Sequence, residues 1–231
     1  MQKSATFTHL TFDCYGTLID WRSGIERELA RALGGVKLSG TPLLAAYVEA
    51  EKSQESTYKR YREVLRNSVA SMSGALGVTV TDAAARELSS SVPRWPAFPD
   101  TAEFLREMGS RGFKRYILSN VDNDFLQETI RRHGLEVDGF VTAEEVRSYK
   151  PRLGHWERFF QKTGARREGL LHVAQSVYHD IIPAQGMGIA TAWVNRYHEQ
   201  MPKTASPTFV TDSLAHLAEL LDGASAQRIT H

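Results

Sequence analysis

The stretch THLTFDCYGTLIDW, residues 8–21, places an acidic residue between an apolar run and a Gly-Thr pair. Its apolar and β-branched residues predict a short buried strand, and Gly16-Thr17 predicts a turn directly after it. Asp13 stands at the junction, where the strand ends. Because a buried carboxylate is costly to desolvate, this position indicates either a turn-capping residue or a residue with a chemical role.

Further short apolar runs are similar to this first strand. They are RYILSN at 115–120, LLHVAQ at 170–175, ATAWVN at 190–195 and TFVTD in the 207–212 region. Helical patterns lie between most of them, and one of these begins at the N-cap candidate Asp100 and stops at Gly112. The alternation predicts an α/β fold, with a Rossmann-like parallel sheet carrying helices on both faces.

The interval from residue 20 to residue 95 breaks this alternation. Ile25, Leu29 and Leu33 recur at helical spacing, residues 41–72 continue as helix, and TDAAARELSSSV predicts another helix. We expect a helical cap domain at 20–95, inserted after the first strand. The α/β core domain then comprises 1–19 and 96–231, and the Pro-rich segment PRWPAFPD is the return linker.

Composition and charge argue against a nucleic-acid-binding or membrane-associated protein. The 231 residues are 42% hydrophobic with a net charge of +1, which does not suggest a nucleic-acid footprint or a polybasic membrane patch. A single cysteine, Cys14, fits a reducing compartment, and neither an apolar leader nor a run of about 18 apolar residues is visible. We expect a cytoplasmic protein that acts on a small molecule, with no nucleic-acid or membrane partner. Apolar Leu43, Leu44 and Tyr47 allow a homodimer, although packing within the cap explains them equally well.

Polar residues follow several predicted strands. In open parallel sheets ligands bind beyond the carboxyl ends of the strands, which is where Asp13, Ser119-Asn120 and Ser176 to Asp180 fall, with Lys150 in a nearby loop. Each has a simpler interpretation: turn or helix caps for the first two, a solvated loop lysine for Lys150, and a helix N-terminal residue for Asp180. Their shared location favours a functional site.

These residues match the motifs of a family. FDCYGTLID, LSN at 118–120, YKP at 149–151 and AQSVYHDIIPAQGMG occur in the order seen in the haloacid dehalogenase superfamily, which the chain resembles over nearly its whole length. The resemblance implies that Asp13 is the nucleophile and that the helical insertion is the cap of these enzymes.

Tyr15 distinguishes subfamilies. Phosphatases of the superfamily usually carry a second Asp at this position, which protonates an alkoxide leaving group. Tyr is a far weaker acid, with a reference pKa of about 10, whereas a halide leaves without a proton. The D-x-Y-G-T pattern resembles that of the L-2-haloacid dehalogenases (type II). It implies a hydrolytic dehalogenase of short 2-haloacids that forms an ester on Asp13 and gives the 2-hydroxy acid.

The resemblance also implies individual roles. Lys150 would hold Asp13 ionised and oriented, Asp180 would position or deprotonate the water, and Thr17 and Ser119 would steady oxyanions. The expected substrate- or halide-binding residues are Tyr15, Asn120, Trp156, Ser176 and His179. No cofactor and no metal are implied.

The chain differs from the family pattern at the cap residues that bind the substrate. The cap Arg of the dehalogenases is missing from AAYVEAEKS at 45–53, and Lys52, Lys59, Arg60 or Arg62 are the cations that could replace it. Two alternatives therefore stay open. One is a Mg²⁺-dependent phosphatase, with the metal on Asp13, the Tyr15 carbonyl and Asp180. The other is a hydrolase of another activated carbon, for instance a strained small-ring amino acid.

Overall fold

The computed structural model describes residues 7–32, 41–75, 77 and 79–226. Its centre is a parallel six-stranded sheet with the order β3-β2-β1-β4-β5-β6. The strands are β1 (His9–Phe12), β2 (Lys114–Ser119), β3 (Gly139–Thr142), β4 (Leu170–Ala174), β5 (Ala190–Val194) and β6 (Phe209–Thr211). The predicted α/β class is confirmed.

The strand order places Asp13 at the centre of the sheet. Phe12, the last residue of β1, pairs with Ile117 of β2 and Val173 of β4. The chain runs outward from β1 through β2 to β3, then returns to the other side of β1 at β4. This reversal between β1 and β4 is the switch point at which doubly wound sheets bind ligands, and Asp13 follows β1 directly there.

Helices cover both faces of the sheet. They are α1 (Trp21–Ala32), α2 (Thr41–Gln54), α3 (Tyr61–Ala75), α4 (Asp82–Ser90), α5 (Thr101–Ser110), α6 (Asn123–His133), α7 (Ala143–Val146), α8 (Gly154–Thr163), α9 (Ile182–Gly186) and α10 (Leu214–Ala226). The successive β2 residues Ile117 and Leu118 point to opposite faces and belong to separate buried clusters. Ile117 joins residues of α5, α6 and α10, while Leu118 joins Trp156 of α8 and Ala184 of α9.

Helices α1 to α4 form the helical insertion, which lies between β1 and α5 as the sequence predicts. Gly24 of α1 lets this insertion approach the return segment, because a Cβ at Gly24 would lie 2.3 Å from Trp95 Cγ. The predicted helix at 41–72 is interrupted between Gln54 and Tyr61. Leu33 lies outside the described residues. The domain boundaries at 19/20 and 95/96 stay a prediction.

Strand β3 is the one strand in the sheet that the sequence does not predict. Its four residues GFVT are half-buried at the start, and Tyr116 of β2 lies over Gly139, where a Cβ would meet the ring at 2.8 Å. Such a short segment has too little periodicity to be recognised, and its pairing with β2 is what makes it a strand.

Leu43 and Tyr47 of α2 are buried in the core, so they do not provide an apolar face for a partner. The homodimer therefore stays a prediction without this support. No helix among the described residues is long and apolar enough to cross a membrane. The cytoplasmic location also stays a prediction.

Candidate active site

A cavity of about 550 Å³ lies between the carboxyl ends of the strands and the helical insertion. The sheet side contributes most of the residues that the sequence singled out: Asp13, Tyr15, Ser119, Asn120, Lys150, Ser176, His179 and Asp180. The insertion contributes Trp21, Arg22, Val48, Glu51, Lys52, Glu55 and Tyr61. The tertiary fold thus brings these polar strand-end residues together beneath a helical roof.

Lys150 joins the two carboxylates at the centre of the site. Its ammonium, 1% exposed, donates to Asp13 Oδ1 at 2.8 Å, to Asp180 Oδ1 at 2.7 Å and to the Leu118 carbonyl at 2.9 Å. The three donors of the ammonium are therefore all used. This geometry excludes the interpretation of Lys150 as a solvated loop residue.

The two carboxylates differ in their environment. Burial would raise the pKa of Asp180, but the Lys150 ammonium and a hydrogen bond from His172 hold that pKa well below its usual range. Burial raises the pKa of Asp13 above its ordinary value, against the opposing effects of Lys150 and the Thr17 hydroxyl. Asp180 is thus the more acidic partner, while Asp13 carries the more exposed and less stabilised charge.

The turn after β1 holds Asp13 from its other side. Thr17 Oγ1 donates to Asp13 Oδ2 at 3.1 Å and accepts the Gln175 backbone N–H at 2.9 Å. Gly16 has a φ of 115°, a conformation that favours glycine, and a Cβ there would lie 3.3 Å from Gln175 Oε1. Arg196 at the end of β5 donates to the Thr17 carbonyl and to Asp100, and it is a positioning residue that the sequence reasoning missed.

Asn120 fixes the loop that carries Lys150. Its amide accepts from the Lys150 backbone N–H at 2.7 Å and donates to the Lys150 carbonyl at 3.1 Å. Asn120 also lines the cavity, so the predicted halide contact remains a proposal. The neighbouring Ser119 Oγ is buried and has no hydrogen-bond partner in the part of the chain that the structure describes, so it is available to a ligand.

The Tyr15 phenol is not an acid in this site. Thr129 Oγ1 donates to the Phe125 carbonyl, so the hydrogen bond of 2.8 Å between Tyr15 and Thr129 uses the Tyr15 proton. Burial first, and nearby negative charge next, raise the pKa of Tyr15 well above 10. The ring packs edge-on against Trp95 and forms part of the cavity wall.

The segment after β4 is a π-helical turn, Val177–Ile181, that aims two residues inward. Ser176 caps it by accepting the His179 backbone N–H, and its hydroxyl also contacts His179 Nδ1 at 3.1 Å. His179 Nε2 is buried 3.9 Å from Glu55 Oε2, and within the described ranges it has no hydrogen-bond partner. Burial lowers the pKa of His179 to about 4, so its imidazole is neutral near pH 7.

His172 is a functional candidate that the sequence reasoning missed. It lies fully buried within β4, where its Nε2 is 2.9 Å from Asp180 Oδ1 and its Nδ1 is 2.9 Å from Thr11 Oγ1. Since Asp180 accepts, Nε2 carries the proton. Asp180 Oδ1 then has two donors, while Asp180 Oδ2 is buried and has none among the described residues. The signal in the sequence was a histidine inside an otherwise apolar strand.

The predicted role of Trp156 as a pocket wall is wrong. Trp156 is fully buried in the cluster with Leu118 and Phe159, and it packs edge-on against His172 at 5.2 Å between ring centroids. It lies in the buried cluster between α8 and the sheet, where it contacts His172 and does not line the cavity.

Of the four cations considered as replacements for the cap Arg, Lys52 lines the cavity. Lys59 donates to Gln54 within the insertion. Arg60, paired with Glu144, and Arg62, paired with Asp122 and Asp124, join the insertion to the core. The sequence reasoning did not single out Arg22, which also lines the cavity and pairs with Glu199.

The two carboxylates do not fit a magnesium ion well. The oxygens that face each other, Oδ1 of Asp13 and Oδ1 of Asp180, already share the Lys150 ammonium, and a divalent cation between them would meet that charge. Gln175 stands where a further carboxylate would complete an oxygen-rich site, and its amide is turned to Glu199. The unpartnered Asp180 Oδ2 instead fits a water molecule.

The fold and the charged cluster at the switch point are typical of an α/β enzyme that uses a carboxylate at the end of its central strand. A family model described as haloacid dehalogenase-like hydrolase matches residues 7–188. The chain belongs to this family of hydrolases.

Individual relatives are named for two different activities. The chain is 25% identical to haloacetate dehalogenase H-2 of Moraxella sp. (strain B) over 219 residues, covering 90% of this chain and 96% of the relative. It is 31% identical to the pyrimidine 5'-nucleotidase YjjG of Escherichia coli (strain K12) over 108 residues, 46% of this chain and 48% of the relative. The L-2-haloacid dehalogenase of Xanthobacter autotrophicus, solved with chloropropionic acid covalently bound, shares the fold. It has a TM-score of 0.83 at 22% identity, over 94% of this chain and 99% of that one.

Proposed function

We propose that this protein is a hydrolytic dehalogenase of short 2-haloacids that works through an ester on Asp13. The observation that carries the proposal is the pairing of a buried, Lys150-bound Asp13 with a Tyr15 whose proton is committed to Thr129. A nucleophile is present, while the acid that an alkoxide leaving group needs at position 15 is absent. A halide leaves without such an acid.

In the first step an Asp13 carboxylate oxygen attacks the α-carbon of the substrate and the halide departs with the bonding electron pair. Lys150 and Thr17, which hold the two Asp13 oxygens at 2.8 and 3.1 Å, fix the direction of attack. Lys52 is the cation we assign to the substrate carboxylate, since it lines the cavity and makes no ion pair among the described residues. Asn120 and His179 line the same cavity and are assigned to the halide.

In the second step water attacks the ester carbonyl on Asp13. Asp180 Oδ2, which has no donor in the described part of the chain, orients this water, and Lys150 and Thr17 stabilise the oxyanion. The water oxygen enters the Asp13 carboxylate, one water proton ends on the product hydroxyl, and the other is released. Because His172 and Lys150 keep the pKa of Asp180 low, Asp180 acts chiefly by orientation.

A phosphatase is the second candidate, favoured by the likeness to a nucleotidase over part of the chain. A paired assay separates the two. Halide release from chloroacetate and 2-chloropropionate should survive EDTA and disappear in Asp13→Asn. Phosphate release from an aryl phosphate, dependent on Mg²⁺ and without halide release, would overturn the proposal.

A further inference from the structure

The roof of the cavity is acidic. Glu51 of α2 and Glu55, one helical turn further along the chain, both line it. The hydroxyls of Tyr47 and Tyr61 both donate to Glu51 Oε1, each at 2.8 Å, so Glu51 is held in place from two helices. We call these four residues the acidic wall.

The cations of the cavity do not neutralise the acidic wall. Lys150 is shared by Asp13 and Asp180, and Arg22 is paired with Glu199 across the mouth of the cavity. Lys52 is exposed, and in the described part of the chain it pairs with neither Glu.

His179 meets the acidic wall from the floor of the cavity. Its Nε2 is buried, has no hydrogen-bond partner among the residues that the structure describes, and lies 3.9 Å from Glu55 Oε2. Since the imidazole is neutral near pH 7, it adds no cation. Burial first, and the charge of Glu51 next, raise the pKa of Glu55 to about 8 against an opposing effect of Lys150. Burial also raises the pKa of Glu51, against its two tyrosine hydrogen bonds. The polar groups at this end of the cavity are therefore suited to a cationic ligand group.

We propose that the acidic wall is an ammonium subsite, and that the substrate carries a protonated amine in addition to its carboxylate. The ammonium would donate to Glu55 and Glu51, the carboxylate would face Lys52, and the electrophilic carbon would lie at Asp13. A purely anionic haloacid leaves both wall carboxyls without a cation, whereas the ammonium of a small zwitterion would donate to them and favour their ionised forms. The subsite would select the substrate. Turnover of that substrate rests on the displacement by Asp13 that is given under the proposed function.

The test compares two probes that differ by the ammonium group, 3-amino-2-chloropropionate and 2-chloropropionate. We expect halide release from the amine to be favoured in kcat/KM by about tenfold or more, the value of one charge-assisted hydrogen bond. Glu55→Gln and Glu51→Gln should bring the ratio towards one. Glu49→Gln, the same change at an exposed position of α2, should keep it.

Binding separates this inference from the proposed function. In Asp13→Asn, calorimetric titration should show β-alanine binding about tenfold tighter than propionate, and Glu55→Gln in that background should remove the difference. If neither probe releases halide but this preference is found, the dehalogenase proposal fails and the subsite stands. Halide release without any preference for the amine, or a preference that both Gln variants retain, would overturn the subsite.

Discussion

Replacing Lys150 by Met would test the central charge arrangement most directly. The change removes the ammonium that lies 2.8 Å from Asp13 Oδ1 and 2.7 Å from Asp180 Oδ1, while the Met side chain keeps similar volume. The two buried carboxylates would then face each other without it. We expect the ionised form of Asp13, the less stabilised of the two, to be lost first.

The distance between Lys150 Nζ and Asp13 Oδ1 sets the size of the expected change in the pKa of Asp13. At 2.8 Å and an effective dielectric constant of about 20, the attraction between Lys150 and Asp13 is about 6 kcal/mol. At about 1.4 kcal/mol per pKa unit, the rise in the pKa of Asp13 is at most roughly 4 units, and relaxation of the site reduces it. Asp13 must be ionised to attack, so activity is lost as pH falls through its pKa. The acid limb of the pH profile should therefore move upward by about 2 units or more.

The assay is the first turnover of halide release from chloroacetate across pH. Lys162→Met, at a surface lysine of α8 that pairs with Glu145, is the matched control and should keep the native profile. The double variant Lys150→Met/Asp180→Asn also removes the carboxylate charge of Asp180, which raises the pKa of Asp13. The acid limb of its pH profile should therefore move part of the way back towards that of the native protein. An acid limb that does not move in Lys150→Met, or that moves further in the double variant, would refute the reasoning.

Three further outcomes are expected. Asp180→Asn should release about one halide per chain and then stop, because the water that hydrolyses the ester is no longer oriented. Mass spectrometry should find the ester on Asp13. Steady turnover at the native rate would contradict the role of Asp180. Tyr15→Phe should change kcat by less than about threefold, because the phenol is bound to Thr129, and should lower the free energy of unfolding by about 1 kcal/mol, measured in urea. The pKa of Asp180 is lower in the folded than in the unfolded protein, so its ionised form stabilises the fold above about pH 4, and this contribution is lost as the pH falls further. The difference in free energy of unfolding between the native protein and Asp180→Asn should therefore shrink below about pH 4. A difference that stays constant with pH would argue against the lowered pKa.

The sequence predicts the sheet because five of its strands are short apolar runs with helical patterns between most of them. It fails at β3, whose four residues are too few to show a period and which depends on pairing with β2. It also fails at Trp156, because position on a helix next to Lys150 does not reveal which face of α8 packs against the sheet.

The motif residues Asp13, Lys150 and Asp180 could be singled out because strand ends in a parallel sheet share one edge. His172 and the acidic wall could not. His172 reaches Asp180 through the register of β4, and Glu51 and Glu55 face the cavity only because the helical insertion folds over it. Both depend on distances between segments far apart in the chain, which local periodicity does not encode.

The sequence by itself determines the class of fold, the order of the motifs and the replacement of an acid by Tyr15. Local propensity and strand-end chemistry are sufficient for these. The tertiary structure decides which groups surround the nucleophile: it commits the Tyr15 proton to Thr129, leaves Asp180 Oδ2 open, and sets two carboxyls in the roof without a cation. The physical reason is that charge, burial and hydrogen bonding are properties of the assembled cavity, and substrate selection follows from them.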